Sequence, residues 1–579
     1  MPGFFFGNMG AATLDNVRNE GCVCESRQSG GLHYARNTLD RFMADKAFYE
    51  DDRFIIMAEG ALLNKGELFA EYAVDAMPQL IINAYLRRGD TFFADFRGPF
   101  SGALYEKRTR RWIAYTSHCG DNSVFYYADG AGRFCFGSQV NYILEALREN
   151  SIPLTVNEAA VYAMLTYAFM VDDATYAQEV KRLLPGCYAV IKHGKVSIRD
   201  YYRPKSQLID ISDLNHEQVV EEMDRRFRQA VEREFSKDEE YGVQHLCDLS
   251  GGLDSRMTNW VAHDMGYENC LNITFSQSGY TDEVVSEQIA EALGNNLLFR
   301  PSENIHYLLN PERIISMNYG LGLYSGIGPG ESLLSDLNIG KYGIEHTGQV
   351  GDVVIGTFIQ HGETAASEGH GGAYSARLLD RVPVPCMDDY RDREEFLMFR
   401  RGFLGALSTH IIRRNYTEVA SPFLDVDLLD FCMSIPANDR EAHHLYKEWI
   451  IGKYPDAAQF IWEKEGIPVA STSLQRVGQK VRGGVRYLLT RVAPALTARS
   501  KRQMGPAEYW YHTKPDLRRR LDAIFDKYLE AATCSEELKG DLLSFFATGS
   551  VIEKTQAITA VVALRYYAGY GAAGWELMH

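Results

Sequence analysis

The chain is short of positive charge, of cysteine and of long apolar runs. Lys and Arg number 60 against 77 Asp and Glu, for a formal net charge of -17. That balance disfavours a general nucleic-acid binder, because displacing counterions from phosphates usually takes net basic charge. No apolar stretch approaches the ~20 residues that cross a bilayer, so no membrane partner is expected. The opening Met1-Pro2-Gly3-Phe4-Phe5-Phe6-Gly7 lacks the basic flank and the apolar length of a signal peptide. Ten cysteines in 579 residues stand mostly alone in apolar surroundings, as reduced buried thiols do. Cys22 and Cys24 form one close pair but have no second pair at zinc-finger spacing. A cytoplasmic location is expected. No internal repeat and no low-complexity tract interrupts the chain.

At 579 residues the chain is too long for one core, so two or more domains are expected. Up to about residue 205 it is strand-rich, with short β-branched or aromatic runs at Arg53 to Ala58, Phe100 to Tyr105, Arg111 to Tyr115, Phe134 to Phe136 and Cys187 to Lys192. His193-Gly194 closes a hairpin between Tyr188 to Ile191 and Val196 to Ile198. The character changes near Pro204 to Ser212, which divides the chain into 1–205 and 206–579. Val219, Met223, Phe227 and Val231 then predict a helix over Glu217 to Glu234. Strands at Val243 to Leu249, Cys270 to Phe275 and Leu297 to Phe299 alternate with helices at Ser255 to His263 and Asp282 to Leu293. That alternation predicts a parallel sheet with crossover helices.

The first of these strands runs into Ser250-Gly251-Gly252-Leu253-Asp254-Ser255-Arg256. A turn of small residues at a helix N-terminus offers backbone N–H groups and the positive end of the helix dipole to an anion, most naturally a phosphate. The glycines allow close approach, and the two serine hydroxyls add donors without bulk. Asp254 would repel that anion unless a cation joined them, which points to Mg²⁺. No Lys follows the glycines, so the loop is not a Walker A. An ordinary tight turn accounts for a bare Gly-Gly pair but not for the six-residue string.

The string resembles the pyrophosphate-binding loop of ATP pyrophosphatases, specifically the asparagine synthetase superfamily, and the resemblance extends over nearly the whole chain. Thr347-Gly348-Gln349-Val350-Gly351-Asp352-Val353-Val354-Ile355-Gly356 is similar to its Ser/Thr-Gly-x-Gly-x-Asp-Glu-x-x-Gly segment. Glu418 to Asp425 is similar to Glu-x-Arg-x-Pro-Phe-Leu-Asp, with Ala420 replacing Arg. Leu445-Tyr446-Lys447-Glu448 resembles the segment whose Lys touches the triphosphate, and Trp462 to Pro468 resembles Arg-x-Lys-x-Gly-Phe. The resemblance implies that Leu249, Ser250, Gly251, Gly252, Asp254 and Ser255 hold the phosphates of ATP. It implies Asp254 and Asp352 as Mg²⁺ ligands, and Gly348 against the ribose. Phe275 and Ser276 would flank the adenine, although plain core packing explains Phe275 equally well. Lys447 and Lys464 would stabilise phosphate and acyl-transfer charge; a lone Lys is otherwise a solvated surface charge.

Residues 1 to about 200 resemble the N-terminal-nucleophile glutaminase domain of the same superfamily. Arg97 to Tyr105, Phe136-Gly137-Ser138-Gln139 and Leu184-Pro185-Gly186 carry that likeness. Such a glutaminase needs an N-terminal Cys activated by its own amine. Pro2 stands there instead, and removing Met1 would expose a secondary amine and no thiol. The glutamine-binding Asn-Gly-Glu run appears as Glu59-Gly60-Ala61. Both losses predict that glutamine is not hydrolysed. β-Lactam synthetases and lasso-peptide cyclases share the architecture without that function. Gln349 matches neither the Glu of asparagine synthetases nor the Tyr of β-lactam synthetases, and Val353 replaces a family Glu.

The expected fold is therefore α/β plus α+β: an N-terminal Ntn-hydrolase-like αββα sandwich, then a parallel-sheet, HUP-like ATP-pyrophosphatase synthetase domain with extra helices. The expected function is an AMP- and pyrophosphate-forming amide ligase lacking glutaminase activity. The alternatives are a glutamine-dependent asparagine synthetase, a lasso-peptide or β-lactam-type cyclase, and a catalytically silent nucleotide-binding regulator. Expected partners are a small-molecule or peptide carboxylate and an amine acceptor, ammonia or a substrate amine; a homodimer is a compatible assembly. Ser471 to Gly505 carries eight Lys and Arg and no acid, which suits either a solvated face or an acidic substrate. The loop from His361 to Gly372 has the composition of a mobile lid.

Overall fold

The computed structural model describes residues 2–10, 21–359, 370–384, 390–471 and 503–568. Most of the basic segment and most of the loop from His361 lie outside the described residues.

Twelve strands build the first domain: β1 (Gly3–Gly7), β2 (Cys22–Ser29), β3 (Leu32–Leu39), β4 (Ala47–Glu50), β5 (Phe54–Gly60), β6 (Phe100–Glu106), β7 (Arg111–Thr116), β8 (Val124–Ala128), β9 (Phe134–Gly137), β10 (Lys181–Leu183), β11 (Cys187–Lys192) and β12 (Lys195–Asp200). They form two six-stranded sheets, ordered β10-β8-β9-β1-β3-β2 and β12-β11-β7-β6-β5-β4. Strand alternation sends β1 into two cores at once. Phe4 and Phe6 join Trp112, Phe136 and Ile191 between the sheets. Phe5 faces the other way, into a helical layer with Val140, Ile143 and Leu147. The outer face of the second sheet packs on the helix Met77–Arg88 through Leu80, Ile81 and Ala84. The result is an αββα sandwich.

The second domain is organised around a five-stranded parallel sheet, ordered β15-β14-β13-β16-β17, made of β13 (Gln244–Asp248), β14 (Leu271–Ser276), β15 (Asn296–Pro301), β16 (Tyr342–His346) and β17 (Val419–Ala420). From β13 the chain builds outward through β14 and β15, then returns to place β16 on β13's other side. That reversal opens a crevice at the carboxyl ends of β13 and β16, where ligands bind in open parallel sheets. Cys247 is in register with His346, so the loops after the two strands leave the sheet side by side.

The helix predicted over Glu217 to Glu234 runs instead from His216 to Tyr241, ending at Gly242 with φ 65. Its buried face continues through Phe235, Lys237 and Asp238, and the two charged residues broke the apolar pattern. Lys237 Nζ donates to Asp45 (2.9 Å), while Arg233 reaches Asp425 (2.8 Å) and Asp427 (2.7 Å) and Arg97 also holds Asp427 (2.8 Å). Two of these pairs, Lys237 with Asp45 and Arg97 with Asp427, join the two domains, and Arg233 braces the second carboxylate from within its own domain. The C-terminal helices add a second junction: Gln556 Nε2 donates to the carbonyls of Met164 (3.0 Å) and Leu165 (2.9 Å). No helix among the described residues is long and apolar enough to cross a membrane.

Candidate active site

The loop after β13 folds back on itself. Ser250 N donates to Ser255 Oγ (3.0 Å), Gly252 N to Ser250 Oγ (3.2 Å), and the two hydroxyls lie 2.9 Å apart. Gly251 N donates to Asp282 Oδ1 at 2.8 Å, so that amide already carries a carboxylate where an anion was expected. Burial, against the pull of that amide, raises the Asp282 carboxyl above its ordinary range. The helix Asp254–Asp264 starts immediately afterwards.

The loop after β16 lies directly on this turn. A Cβ on Gly348 would overlap Ser255 N and the Asp254 carbonyl carbon, and one on Gly351 would sit 2.6 Å from Asp254 Cγ. Both glycines are there because two loops meet without room for a methyl group. The contact fixes the carboxylates: Asp352 N donates to Asp254 Oδ2 (2.9 Å), and Tyr446 OH donates to Oδ1 (3.1 Å). Burial and then the nearby Asp352 push the Asp254 carboxyl up to about 8, against the Asp352 amide, Tyr446 and Lys464. Thr357 Oγ1 donates to Asp352 Oδ2 (2.8 Å) and stands 3.0 Å from His443 Nε2. His443 is driven down to about 4 by burial and then by Lys464, so it is a neutral imidazole at neutral pH. Two adjoining carboxylates, one of them pushed up by burial and by its neighbour's charge, fit an oxygen-seeking divalent cation such as Mg²⁺.

Lys447 and Lys464 converge on one indole. Their ammonium groups lie 5.1 Å and 5.7 Å from the Trp462 ring centroid, within cation–π range. Lys447 Nζ also donates to Glu465 Oε1 (2.6 Å), whereas Lys464 is exposed. Trp462 stands on a two-stranded hairpin, β18 (Ile461–Trp462) and β19 (Ile467–Pro468).

Between these parts lies a cleft of about 350 Å³, lined by Leu249, Ser250, Gly252, Asp254, Ser255, Phe275, Gly348 and Gln349 among others. Ser276, Gly251, Asp352, Lys447 and Lys464 are not among its lining residues, and the Ser276 hydroxyl is buried and donates to the Gln277 carbonyl (3.1 Å). Asp282, Arg413 and Glu463 do line it and are not among the residues expected from the sequence. Arg413 sits under the cleft, donating to Asp248 Oδ2 (2.7 Å) and pairing with Glu345. Their places in the recognised segments could have flagged Tyr446, which precedes Lys447, and Glu463, which precedes Lys464.

The buried cluster Asp238, His245 and His346 brings three metal-capable atoms together. Its Asp238 oxygen, however, is 2.9 Å and 2.8 Å from the two imidazole nitrogens. Ligands about 2.0–2.1 Å from a tetrahedral zinc stand roughly 3.3 Å apart. The cluster is closed by protons.

In the first domain, Gln139 Nε2 donates to the Pro2 carbonyl, and Phe4 N donates to Ser138 Oγ (3.2 Å). Pro2, Lys46, Glu59, Asp121, Arg414 and Glu418 are among the residues around a cavity of about 60 Å³ between the domains, and none of its lining residues carries a thiol. Cys24 donates its S–H to Asn37 Oδ1 (3.2 Å), and burial pushes the Cys22 thiol up, away from the thiolate a nucleophile needs.

Residues 38–202 match the family described as glutamine amidotransferase domain. The first domain is thus of glutamine amidotransferase type, and a parallel-sheet domain follows it. No curated protein matches the chain. Among solved structures, the chain is similar to a glutamine phosphoribosylpyrophosphate amidotransferase from B. subtilis complexed with ADP and GMP, at 8% identity over 52% of this chain and 85% of that one, with a TM-score of 0.24. It is also similar to an allosteric regulatory enzyme of purine biosynthesis, at 7% identity over 52% of this chain and 74% of that one, again with a TM-score of 0.24. Likenesses at that score say nothing about chemistry.

Proposed function

We propose that the chain activates a carboxylate with ATP, releasing pyrophosphate, and passes the acyl group to an amine without hydrolysing glutamine. The observation that carries this reading is the meeting of two loops, which puts Asp352 N on the Asp254 carboxylate beside the serine-rich turn.

In the first step a carboxylate oxygen bonds to the α-phosphorus and the bond to pyrophosphate breaks. Ser250 and Ser255 offer hydroxyls to the departing phosphates, and the start of the helix Asp254–Asp264 adds its dipole. Mg²⁺ held by Asp254 and Asp352 would neutralise charge on the leaving pyrophosphate. Lys447 and Lys464, steered by Trp462, supply positive charge on the same side. In the second step an amine attacks the acyl carbon, AMP departs and the amine loses a proton. Gln349, whose side chain donates to the Ala406 carbonyl (3.3 Å), lines the wall on which the acyl acceptor would act. Loss of glutaminase chemistry is supported by a cavity lined without a thiol.

Hydroxylamine tests the reading before the natural amine is known. With ATP, Mg²⁺ and pools of amino acids and small acids, an activated acyl group becomes a hydroxamate while AMP accumulates. Formation of ADP and phosphate instead, or glutamate release from glutamine, contradicts the proposal.

A further inference from the structure

Arg256 follows the serine-rich turn and is fully buried, at 0% exposure. Among the described residues it has no carboxylate partner. Its Nη donors go instead to backbone carbonyls, Nη2 to Gly251 (3.1 Å) and Ile461 (2.7 Å), Nη1 to Ala457 (3.1 Å) and Phe460 (3.2 Å), while the buried Nε has no partner among the described residues. One of these oxygens belongs to the turn, two to the segment leading into the hairpin that carries Trp462 and Lys464, and one, that of Ile461, to the hairpin itself. Burial without a neutralising acid lowers the guanidinium to about 10, so it keeps its charge at neutral pH. Burying a lone guanidinium is costly, and such a group persists where its hydrogen bonds hold something in place.

Two further bonds run along the same seam. Glu463 N donates to Gly251 O (3.1 Å), and Tyr280 OH donates to Glu463 Oε1 (2.7 Å). Lys464, by contrast, makes no hydrogen bond or ion pair among the described residues; its one described contact is the face of Trp462. Its place beside Asp254 is therefore inherited from the docking of its hairpin.

We infer that Arg256 is a positioning residue that locks the hairpin bearing Lys464 onto the phosphate-binding turn, so that the turn and the lysine act as one unit. The inference rests on the nucleotide reading above for its chemistry, though not for the lock itself. Only a planar fork of donors can reach both segments; a lysine at this position offers its three donors from a single point and cannot span them.

Two measurements separate the lock from the nucleotide reading. Hydrogen exchange on the nucleotide-free protein reads the lock alone: in Arg256→Met and Arg256→Gln the amides of residues 461–467 should exchange at least tenfold faster, while β13 and β14 stay protected. Unchanged exchange would overturn the inference. The second probe is ATP carrying an acyl group on its γ-phosphate. A lysine amine near the phosphates attacks the acyl carbon, the C–O bond to phosphate breaks, ATP leaves with the electron pair and the amine sheds a proton. Mass spectrometry should find Lys464 acylated in the wild type and protected by excess ATP. Acylation at Lys464 should fall at least tenfold in Arg256→Met while ATP affinity stays within threefold, with partial recovery on adding guanidinium to Arg256→Ala. Equal labelling in wild type and variant, or parallel loss of labelling and ATP affinity, overturns the positioning role. A wild type that neither binds ATP nor labels, but whose hairpin loosens in Arg256→Met, leaves the lock standing and sinks the nucleotide reading.

Discussion

Substituting Gly348 by Ala tests whether the two loops must touch for the site to exist. The new Cβ would overlap Ser255 N and the Asp254 carbonyl carbon, and would lie 2.8 Å from Asp254 Cβ. Those atoms are backbone or next to it, so no flexible side chain can swing aside. Restoring an ordinary contact of about 3.4 Å parts the loops by more than half an ångström, and by about 1 Å where backbone overlaps. Overpacking of that kind costs about 1–3 kcal/mol of stability. The functional loss should be larger, because a misplacement of about 1 Å at a reacting centre costs on the order of 100-fold. Gly348→Ala should therefore stay folded at 25 °C, with a modestly lower denaturant midpoint, and lose ATP-dependent AMP release by about two orders of magnitude. The Asp352 amide should lose its hydrogen bond to Asp254, visible as faster exchange at that amide. Wild-type turnover in Gly348→Ala, together with wild-type exchange at Asp352, would refute the reasoning.

Burial pushes Glu234 up to about 7, and the charge of Asp238 overrides burial to hold His346 at about 9. Both folded values exceed the unfolded ones, so the stability they contribute is present at low pH. It is lost as pH rises through 7 and then 9. The urea midpoint should fall from pH 6 to pH 9 and His346→Gln should flatten the upper part of that fall; a midpoint constant across the range contradicts this. Lys237→Met strips one cation from the buried Asp45 at the domain junction and should cost about 3 kcal/mol in chemical denaturation; a change below 1 kcal/mol would mean the pair is dispensable. Glu465→Gln removes the carboxylate held by Lys447 and should tighten ATP binding severalfold in calorimetry; weaker binding would show that the pair orders the lysine instead.

The strand–turn–helix at Ser250 to Ser255 was legible because glycine, serine and aspartate in that order permit few backbone shapes. β13, β14 and β15 followed from their apolar runs, within two residues at each end. β2 was not legible: Cys22 to Ser29 is polar and half exposed, as an edge strand can be, so no alternation marks it. β1, only five residues long, gives no period to read. In the site, Asp254 and Asp352 stood out through their neighbours in sequence. Asp282, His443 and Arg413 did not, since each acts through a partner far along the chain. Gly348 was expected against a ribose, and its closest neighbours are the backbone atoms of Asp254 and Ser255. Ser276 was expected beside the adenine, yet its hydroxyl is spent on Gln277 because the strand end turns it inward.

Cleavage of the nucleotide between its α- and β-phosphates at the paired aspartates is the central proposal. ATP labelled in the α-phosphate, incubated with Mg²⁺ and an accepted acid, reports this directly on a chromatogram. The wild type should yield labelled AMP, and Asp254→Asn and Asp352→Asn should each yield at least 100-fold less while remaining folded. Labelled ADP from the wild type, or undiminished AMP from either variant, contradicts it.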